Sequence, residues 1–208
     1  MVPKTAAYDY VVVGAGSAGC VLAARLSADP TASVLLLEAG EPDDEREISI
    51  PAAFPELFRS DADWAYEDVL PYFNRGEAFG PGDGRYHGTA GELSVSSLRS
   101  PNDLSATFVD AAAEVGYPRN DDFNGARRAG VGHYHLTQKK GTRHSAADAY
   151  LKPAMDRPNL TVETGAHVTG VRFEGDRATG VEYRQDDRQL RADAVKEVVL
   201  SGGAVNSP

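Results

Sequence analysis

Three glycines and one acid have the spacing of a nucleotide-binding turn. Gly14, Gly16 and Gly19 form G-x-G-x-x-G directly after the apolar run at 10–13, and Glu38 follows 19 residues after the last glycine. In such a unit the glycines permit a tight turn, the close approach of a pyrophosphate and close helix packing, and an acid about 20 residues on binds ribose hydroxyls. The pattern predicts a dinucleotide site. An acid at 38 disfavours the 2′-phosphate of NADP.

The elements that must position these residues are also readable. The β-branched run 10–13 predicts a buried strand, the apolar residues of 21–26 predict a helix that Asp29-Pro30 ends, and 34–37 predicts a second strand. Glu38 then stands at the tip of that strand, where a buried carboxylate is costly unless polar groups meet it. The alternative is a glycine-rich turn inside some other α/β protein.

The far end of the chain bears on which dinucleotide is bound. Val168, Val171 and Phe173 alternate before a turn at 175–176, and the pattern continues to a buried-type strand at 198–200 that runs into a second glycine turn, Gly202-Gly203. A simple NAD domain would continue as alternating strands and helices. A β-meander before a second glycine turn therefore favours FAD over NAD.

Composition excludes several classes of protein. The net charge of −10 and a pI near 4.9 argue against nucleic acid or an anionic membrane surface as a partner. The single cysteine, Cys20, excludes an internal disulfide, and no stretch reaches the roughly 20 apolar residues of a membrane span. The first ten residues contain no hydrophobic signal core, so the sequence predicts a soluble, cytoplasmic protein. The acidity fits either a salt-adapted protein or an ordinary acidic one.

Eight stretches resemble, in family order, the glucose-methanol-choline (GMC) oxidoreductases, and most of all the choline-dehydrogenase type. They are YDYVVVGAGSAGCVLAARLS, VLLLEAG, DWAY, YEDVLPYFNRGE, YHGTAGELSV, GTRHSAADAYLKPA, RPNLTVETGAHVTGVRFEGDRATGVEY and EVVLSGGAVNSP. The resemblance implies an FAD-dependent oxidoreductase that acts on the CH-OH group of a small alcohol. It also implies an α/β fold: an FAD-binding Rossmann-like domain of the two-dinucleotide-fold type with a β-meander, plus a partial α+β substrate-side region.

The resemblance also assigns cofactor contacts. The glycine turn would contact the FAD pyrophosphate, Glu38 and its neighbour the adenosine ribose, the main chain at 168 the adenine, and the chain at 203–204 the flavin. The cofactor-binding residues expected in this way are Gly14, Ala15, Gly16, Ser17, Ala18, Gly19, Glu38, Ala39, Val168, Gly203 and Ala204.

Two departures from the family pattern limit what can be expected. Trp64-Ala65-Tyr66 runs directly into Glu67, where the family places a long segment with a G-G-S-S-like flavin loop before a second aromatic motif. We interpret this as an internal deletion of several tens of residues. The sequence given also stops at Pro208, before the family's C-terminal histidine and its histidine or asparagine partner, so no residue here is assigned a catalytic role.

The histidines and the middle segment suggest no further chemistry. His133 and His135 could share a strand face, but no third ligand at suitable spacing is evident, so no metal site is expected. The stretch 79–91 reads as a surface loop, because it lacks the G-K-[ST] of a phosphate loop. Residues 101–116 predict an amphipathic helix with Leu104, Phe108 and Val115 on one stripe.

The domains expected are the first half of the FAD-binding domain at 1–63, the substrate-side and connecting region at 64–158, and the second half of the FAD-binding domain at 159–208. Three functions remain open. The first is an incomplete GMC enzyme without turnover of its own. The second is a non-catalytic nucleotide-binding remnant, or one half of a split enzyme completed by a C-terminal chain. The third is an NAD-dependent dehydrogenase.

Overall fold

The computed structural model of the chain describes residues 4–40 and 66–207. The chain divides into two compact units, one formed by 1–44 with 146–208 and the other by 45–145. The strands are β1 (Lys4–Val13), β2 (Val34–Leu37), β3 (Glu77–Phe79), β4 (Leu93–Val95), β5 (Gln138–Lys139), β6 (Thr142–Arg143), β7 (Leu160–Glu163), β8 (His167–Glu174), β9 (Arg177–Gln185) and β10 (Arg188–Leu200). The helices are α1 (Ser17–Leu26), α2 (Tyr66–Gly76), α3 (Asp103–Glu114) and α4 (Gly203–Asn206), with a π-helical turn at Ala147–Leu151 and a 3₁₀ turn at Lys152–Ala154.

A six-stranded mixed sheet organises the first unit. Its strand order is β7-β2-β1-β10-β9-β8, parallel from β7 to β10 and antiparallel from β10 to β8. Val11 of β1 lies between Leu35 of β2 and Val198 of β10. The parallel part contains the β1-α1-β2 unit that the sequence predicts, and the antiparallel part contains the meander. The predicted α/β fold class is confirmed.

Both faces of this sheet are covered by apolar side chains. On one face Cys20 and Ala23 of α1 pack with Val12 and Leu36, and on the other Leu35 packs with partners from the meander. Successive side chains of a strand point to opposite faces, so the unbroken apolar runs of β1 and β2 are explained by burial on both sides. Cys20 is fully buried, as expected for a small core residue.

The last strand differs from its prediction. The sequence suggested a meander followed by a separate buried strand at 198–200, but β10 is one strand of 13 residues. Residues 188–193 of this strand pair antiparallel with β9, and residues 191–200 pair in parallel with β1. Leu200 is 47% exposed, because it is paired with Val13, the last residue of β1, at the rim of the sheet.

One asparagine joins the loop after α1 to the start of β7. The Asn159 side-chain amide donates to the carbonyl oxygens of Ser27, Asp29 and Ala32 at 3.0, 2.9 and 2.8 Å. The backbone oxygen of Asn159 accepts from Val34 N at 2.8 Å, which sets the register of β2 beside β7. The side chain therefore holds the chain between helix and strand.

We expect Asn159→Ala to lower the free energy of unfolding by roughly 1–3 kcal/mol, because three carbonyls, two of them in partly buried hydrogen bonds, lose their donor. The measurement is urea unfolding followed by circular dichroism. The control is Gln189→Ala, at an exposed position where the side-chain amide donates to the Thr169 hydroxyl at 3.3 Å. We expect it to change the unfolding midpoint little. An unchanged midpoint for Asn159→Ala would show that solvent replaces these bonds without cost.

The second unit is built from short elements. β3 and β4 pair in parallel and β5 and β6 form a hairpin. Helix α3 begins at the predicted place, where the Asn102 side chain accepts from Leu104 N at 2.9 Å. The predicted apolar stripe is exposed, with Leu104 at 79% and Phe108 at 70%, whereas Val109 is buried. None of the helices described is long and apolar enough to cross a membrane.

Candidate functional site

The glycine turn lies at the carboxyl ends of the parallel strands. Gly14 N donates to Leu37 O of β2 at 2.8 Å, and Ser201 N after β10 donates to Val13 O at 2.8 Å. The Ser201 hydroxyl adds bonds to Val13 O and Gly14 O. Gly14 has a φ of +95°, and a Cβ there would lie 2.6 Å from Ser201 O, so the turn needs glycine.

The other two glycines have opposite surroundings. Gly19 is buried against the turn, and a Cβ at this position would lie 1.8 Å from Gly14 O. Gly16 is exposed, and a Cβ there would meet no atom within 4 Å. Gly19 therefore permits the contact between helix and strand, while Gly16 leaves an open space that a phosphate group can approach. The close contact at Gly19 is the one that the sequence predicts, while the phosphate contact at Gly16 stays a prediction.

The open space lies over the first turn of α1. Gly16 is the N-cap and has no side chain to cap the helix, and the first turn carries no acid. The first N–H groups of a helix have no partner within it, and the helix dipole favours an anion there. Ser17 and Ala18 of this turn are exposed. A phosphate placed here would find donors and no opposing charge from the helix itself.

Glu38 holds the neighbouring strand end together. Its Oε2 accepts from Ala15 N at 2.5 Å and its Oε1 from Gly40 N at 2.8 Å. A carboxylate at the end of a buried strand loses hydration, which costs free energy. These two backbone donors offset that cost. They also fix the carboxylate beside the glycine turn. Each carboxylate oxygen can accept a second bond, so both keep capacity for hydroxyl groups of a ligand. The Ala15 amide is used by Glu38 in this arrangement.

The segment between β7 and β8 meets Glu38 from the other side. Ala166 N donates to Glu38 O at 2.7 Å and Gly165 N to Gly40 O at 2.9 Å. Val168 follows two residues later on β8, half-buried and paired with Tyr183. Ala39, in the same strand-end turn as Glu38, is exposed.

The second glycine turn completes the rim. Gly203, exposed and with a φ of +88°, starts α4 two residues after Ser201, whose side chain contacts the first glycine turn. Ala204 lies in α4, and its side chain is outside the described positions. The expected cofactor residues thus lie on the carboxyl-end loops of one sheet or directly after them. Ligands of open α/β sheets bind at this place.

Two histidines of the second unit, His87 and His135, lie close together, which the sequence did not predict. His87 is 5% exposed, although 79–91 was interpreted as a surface loop; Phe79 and Gly88 of that stretch are buried too. The reading failed because glycine and charged residues alternate here with residues that pack inward. Burial opposes the charge of His87, but hydrogen bonds to Asp122 and Glu77 outweigh it and raise the pKa of His87 above its ordinary value.

His135 and His133 are not strand residues as predicted, since 132–135 is irregular. His135 Nδ1 lies 4.0 Å from Asp122 Oδ1, so the histidine pair is replaced by a grouping of His87, Asp122 and His135. The ligand atoms of these three residues lie within 4.8 Å of one another. His144 accepts from Ser94 N at 3.1 Å. The Phe79 ring packs against both the His87 and the His135 imidazoles. No spacing in the sequence predicts this contact.

The comparisons with known proteins agree on one family. Residues 59–208 match the family model described as GMC oxidoreductase. An uncharacterised GMC-type oxidoreductase of Mycobacterium tuberculosis is 40% identical over 96% of this chain and 48% of its own length. Human mitochondrial choline dehydrogenase is 37% identical over 97% of this chain and 44% of its own. The chain spans about half the length of the curated relatives it matches.

Two solved structures have a fold similar to that of this chain. Pyridoxine 4-oxidase from Mesorbium loti superposes with a TM-score of 0.82 at 31% identity, covering 97% of this chain and 50% of that one. An FAD-dependent oxidoreductase from Chaetomium thermophilum superposes with a TM-score of 0.83 at 24% identity, which speaks for the fold alone.

The alignment lengths bear on the suspected deletion. The match to the M. tuberculosis relative runs over 257 positions, whereas this chain has 208 residues. At least 257 − 208 = 49 aligned positions of the relative therefore have no counterpart here, summed over the whole alignment. The junction that we identified, Trp64-Ala65-Tyr66, lies largely outside the described residues.

Proposed function

Because this chain belongs to the GMC oxidoreductase family, whose cofactor is FAD, we propose that it carries the ADP-binding end of an FAD site in an alcohol-oxidising flavoprotein. The observation that carries the proposal is the position of the Glu38 carboxylate. Backbone donors from Ala15 and Gly40 fix it beside the open space at Gly16. A charge-assisted acceptor for ribose hydroxyls and a cradle for pyrophosphate then adjoin one another.

Each residue has a defined part in this proposal. The first turn of α1 would donate backbone N–H groups to the pyrophosphate, and Glu38 would accept from the adenosine ribose. Val168 would border the adenine, since its segment is bonded to Glu38 through Ala166. Gly203 and Ala204 would contact the flavin end of the cofactor. The bound flavin supplies the acceptor for the hydride of an alcohol carbon, and these residues bind and orient it.

We propose further that the chain by itself does not turn over alcohols. The residues of 1–208 include none that we assign as the base for the hydroxyl proton, and the chain contains no G-G-S-S sequence of the kind that the family resemblance implies for a flavin loop. The relatives named choline dehydrogenase and alcohol dehydrogenase suggest an alcohol substrate for the whole protein. A complementing C-terminal chain would supply the remainder.

Dye-linked oxidation of choline and simple alcohols by the purified chain with added FAD tests this part. We expect no rate above the background of FAD alone. A rate that depends on the chain and falls with Gly16→Ala would overturn the proposal that this chain is catalytically incomplete. This assay does not test the proposal that the chain binds FAD, which is tested separately by calorimetric titration.

Calorimetry separates the nucleotide alternatives. We expect FAD to bind and NADP to bind at least about tenfold more weakly, because its 2′-phosphate meets the carboxylate of Glu38. Equal or tighter binding of NAD than of FAD would favour the plain dehydrogenase. Loss of all nucleotide binding would leave a remnant that keeps the fold without the site.

A further inference from the structure

A cluster of three side chains in the second unit has the composition of a metal site. His87, Asp122 and His135 come from three separate stretches of sequence, 35 and 13 residues apart. His87 Nε2 lies 3.0 Å from Asp122 Oδ1, and His135 Nδ1 lies 4.0 Å from the same oxygen. Two imidazole nitrogens and one carboxylate oxygen are a donor set that zinc takes in proteins.

The distances between the donor atoms suit an ion. Ligand atoms held about 2.1 Å from zinc are about 3.0 Å apart at a right angle and about 3.4 Å apart at the tetrahedral angle. The His87–Asp122 separation already has that size. The three atoms lie within 4.8 Å of one another, so a movement of His135 by about 1 Å brings the third donor into range.

The surroundings orient these side chains. His87 Nδ1 lies 3.0 Å from Glu77 Oε2, which leaves Nε2 turned toward Asp122. Histidine ligands of metals commonly donate their second N–H to a carboxylate in this way. Glu77 Oε2 also accepts from Gly88 N at 3.0 Å, so the carboxylate is itself fixed. The Glu77 and Asp122 carboxylates together carry the charge that balances a divalent cation.

Packing and access complete the site. The Phe79 ring lies 4.9 Å from the His87 ring and 4.4 Å from the His135 ring, centroid to centroid, and keeps both imidazoles in place. Asn120 Oδ1 accepts from Asp122 N at 2.9 Å and fixes that turn. The side chains of His87 and His135 are 6% and 11% exposed, whereas that of Asp122 is 37% exposed. An ion can therefore enter past the carboxylate, and a water molecule can take a fourth position.

We propose that His87, Asp122 and His135 bind one divalent transition-metal ion, Zn²⁺ in the first place, with Glu77 positioning His87. The ion joins three stretches of the second unit. The site is independent of the FAD proposal, because none of its residues belongs to the expected cofactor set. Its test can therefore fail or succeed without bearing on that function.

The test is a cobalt titration of the tag-free chain after treatment with a chelator. We expect visible d–d absorption that saturates at one Co²⁺ per chain, without the thiolate charge-transfer band that binding at Cys20 would give, and full displacement by one Zn²⁺. An unsaturated, linear rise or no band in the wild-type chain overturns the proposal.

Variants locate the ion. We expect His135→Gln to weaken Co²⁺ binding at least about 100-fold and Glu77→Gln about 10–100-fold. His133→Gln is the matched control, half-buried two residues away and outside the cluster, and should bind as the wild type does. If His135→Gln fails to fold by circular dichroism, Asp122→Asn replaces it, because an amide oxygen can still accept from Asn124 N. Equal binding by the control and the cluster variants contradicts the assignment.

Discussion

Gly19→Ala is expected to lower the free energy of unfolding by about 3 kcal/mol or more, whereas Gly16→Ala is expected to leave it within about 0.5 kcal/mol. The added Cβ at Gly19 would lie 1.8 Å from Gly14 O, inside the contact between α1 and β1. At Gly16 the Cβ meets no atom within 4 Å, and the φ of −70° suits alanine. Urea unfolding of the two variants beside the wild type measures the difference.

The same pair separates folding from binding. Gly16→Ala places a methyl group in the open space over the first turn of α1, so we expect FAD affinity to fall at least about tenfold, or about 1.4 kcal/mol, while the fold is kept. Gly16→Ala with wild-type affinity would mean that the pyrophosphate is not held here. Gly19→Ala with wild-type stability would mean that the turn can open without cost.

Glu38→Ala is expected to weaken ADP binding about 100-fold, because hydrogen bonds to a charged acceptor contribute about 1.5–3 kcal/mol each. The change also removes the acceptor for Ala15 N and Gly40 N, so the variant is checked by circular dichroism. Glu163→Ala is the control: Glu163 stands at the end of the neighbouring β7, and its carboxylate accepts from Gln185 Nε2. We expect it to bind ADP as the wild type does.

A double-mutant cycle with 2′-deoxy-ADP isolates the ribose contact from any change in the turn. The wild-type chain should prefer ADP over 2′-deoxy-ADP, and Glu38→Ala should lose that preference. If the variant binds both ligands weakly but still prefers ADP, Glu38 acts by holding the turn. The ribose would then have another partner.

Local sequence patterns were enough for the cofactor end of the fold. Strand, glycine turn, helix and second strand follow one another within about 30 residues, and each is specified by neighbours along the chain. Glu38 could be placed for the same reason, because the strand that precedes it sets its position. Its hydrogen bonds to Ala15 and Gly40 were not predictable, since they depend on how the turn closes around β2.

The remainder depended on contacts between distant residues. The continuity of β10 was missed because its start pairs with β9 and its end with β1, and no single period describes both segments. His87, Asp122 and His135 were missed because they lie 35 and 13 residues apart and match no ligand-spacing motif, so only the fold brings them together. The exposed stripe of α3 shows the converse, since amphipathic spacing predicted the helix but not the side on which it packs.

The most direct measurement is the fluorescence anisotropy of FAD bound to the purified chain, with ADP and FMN as competitors. If the chain holds the ADP end of the cofactor, anisotropy rises on binding, ADP displaces FAD at a concentration close to its own dissociation constant, and FMN does not displace it. The account would be contradicted if FAD anisotropy did not rise when the chain is added, or if FMN displaced FAD and ADP did not.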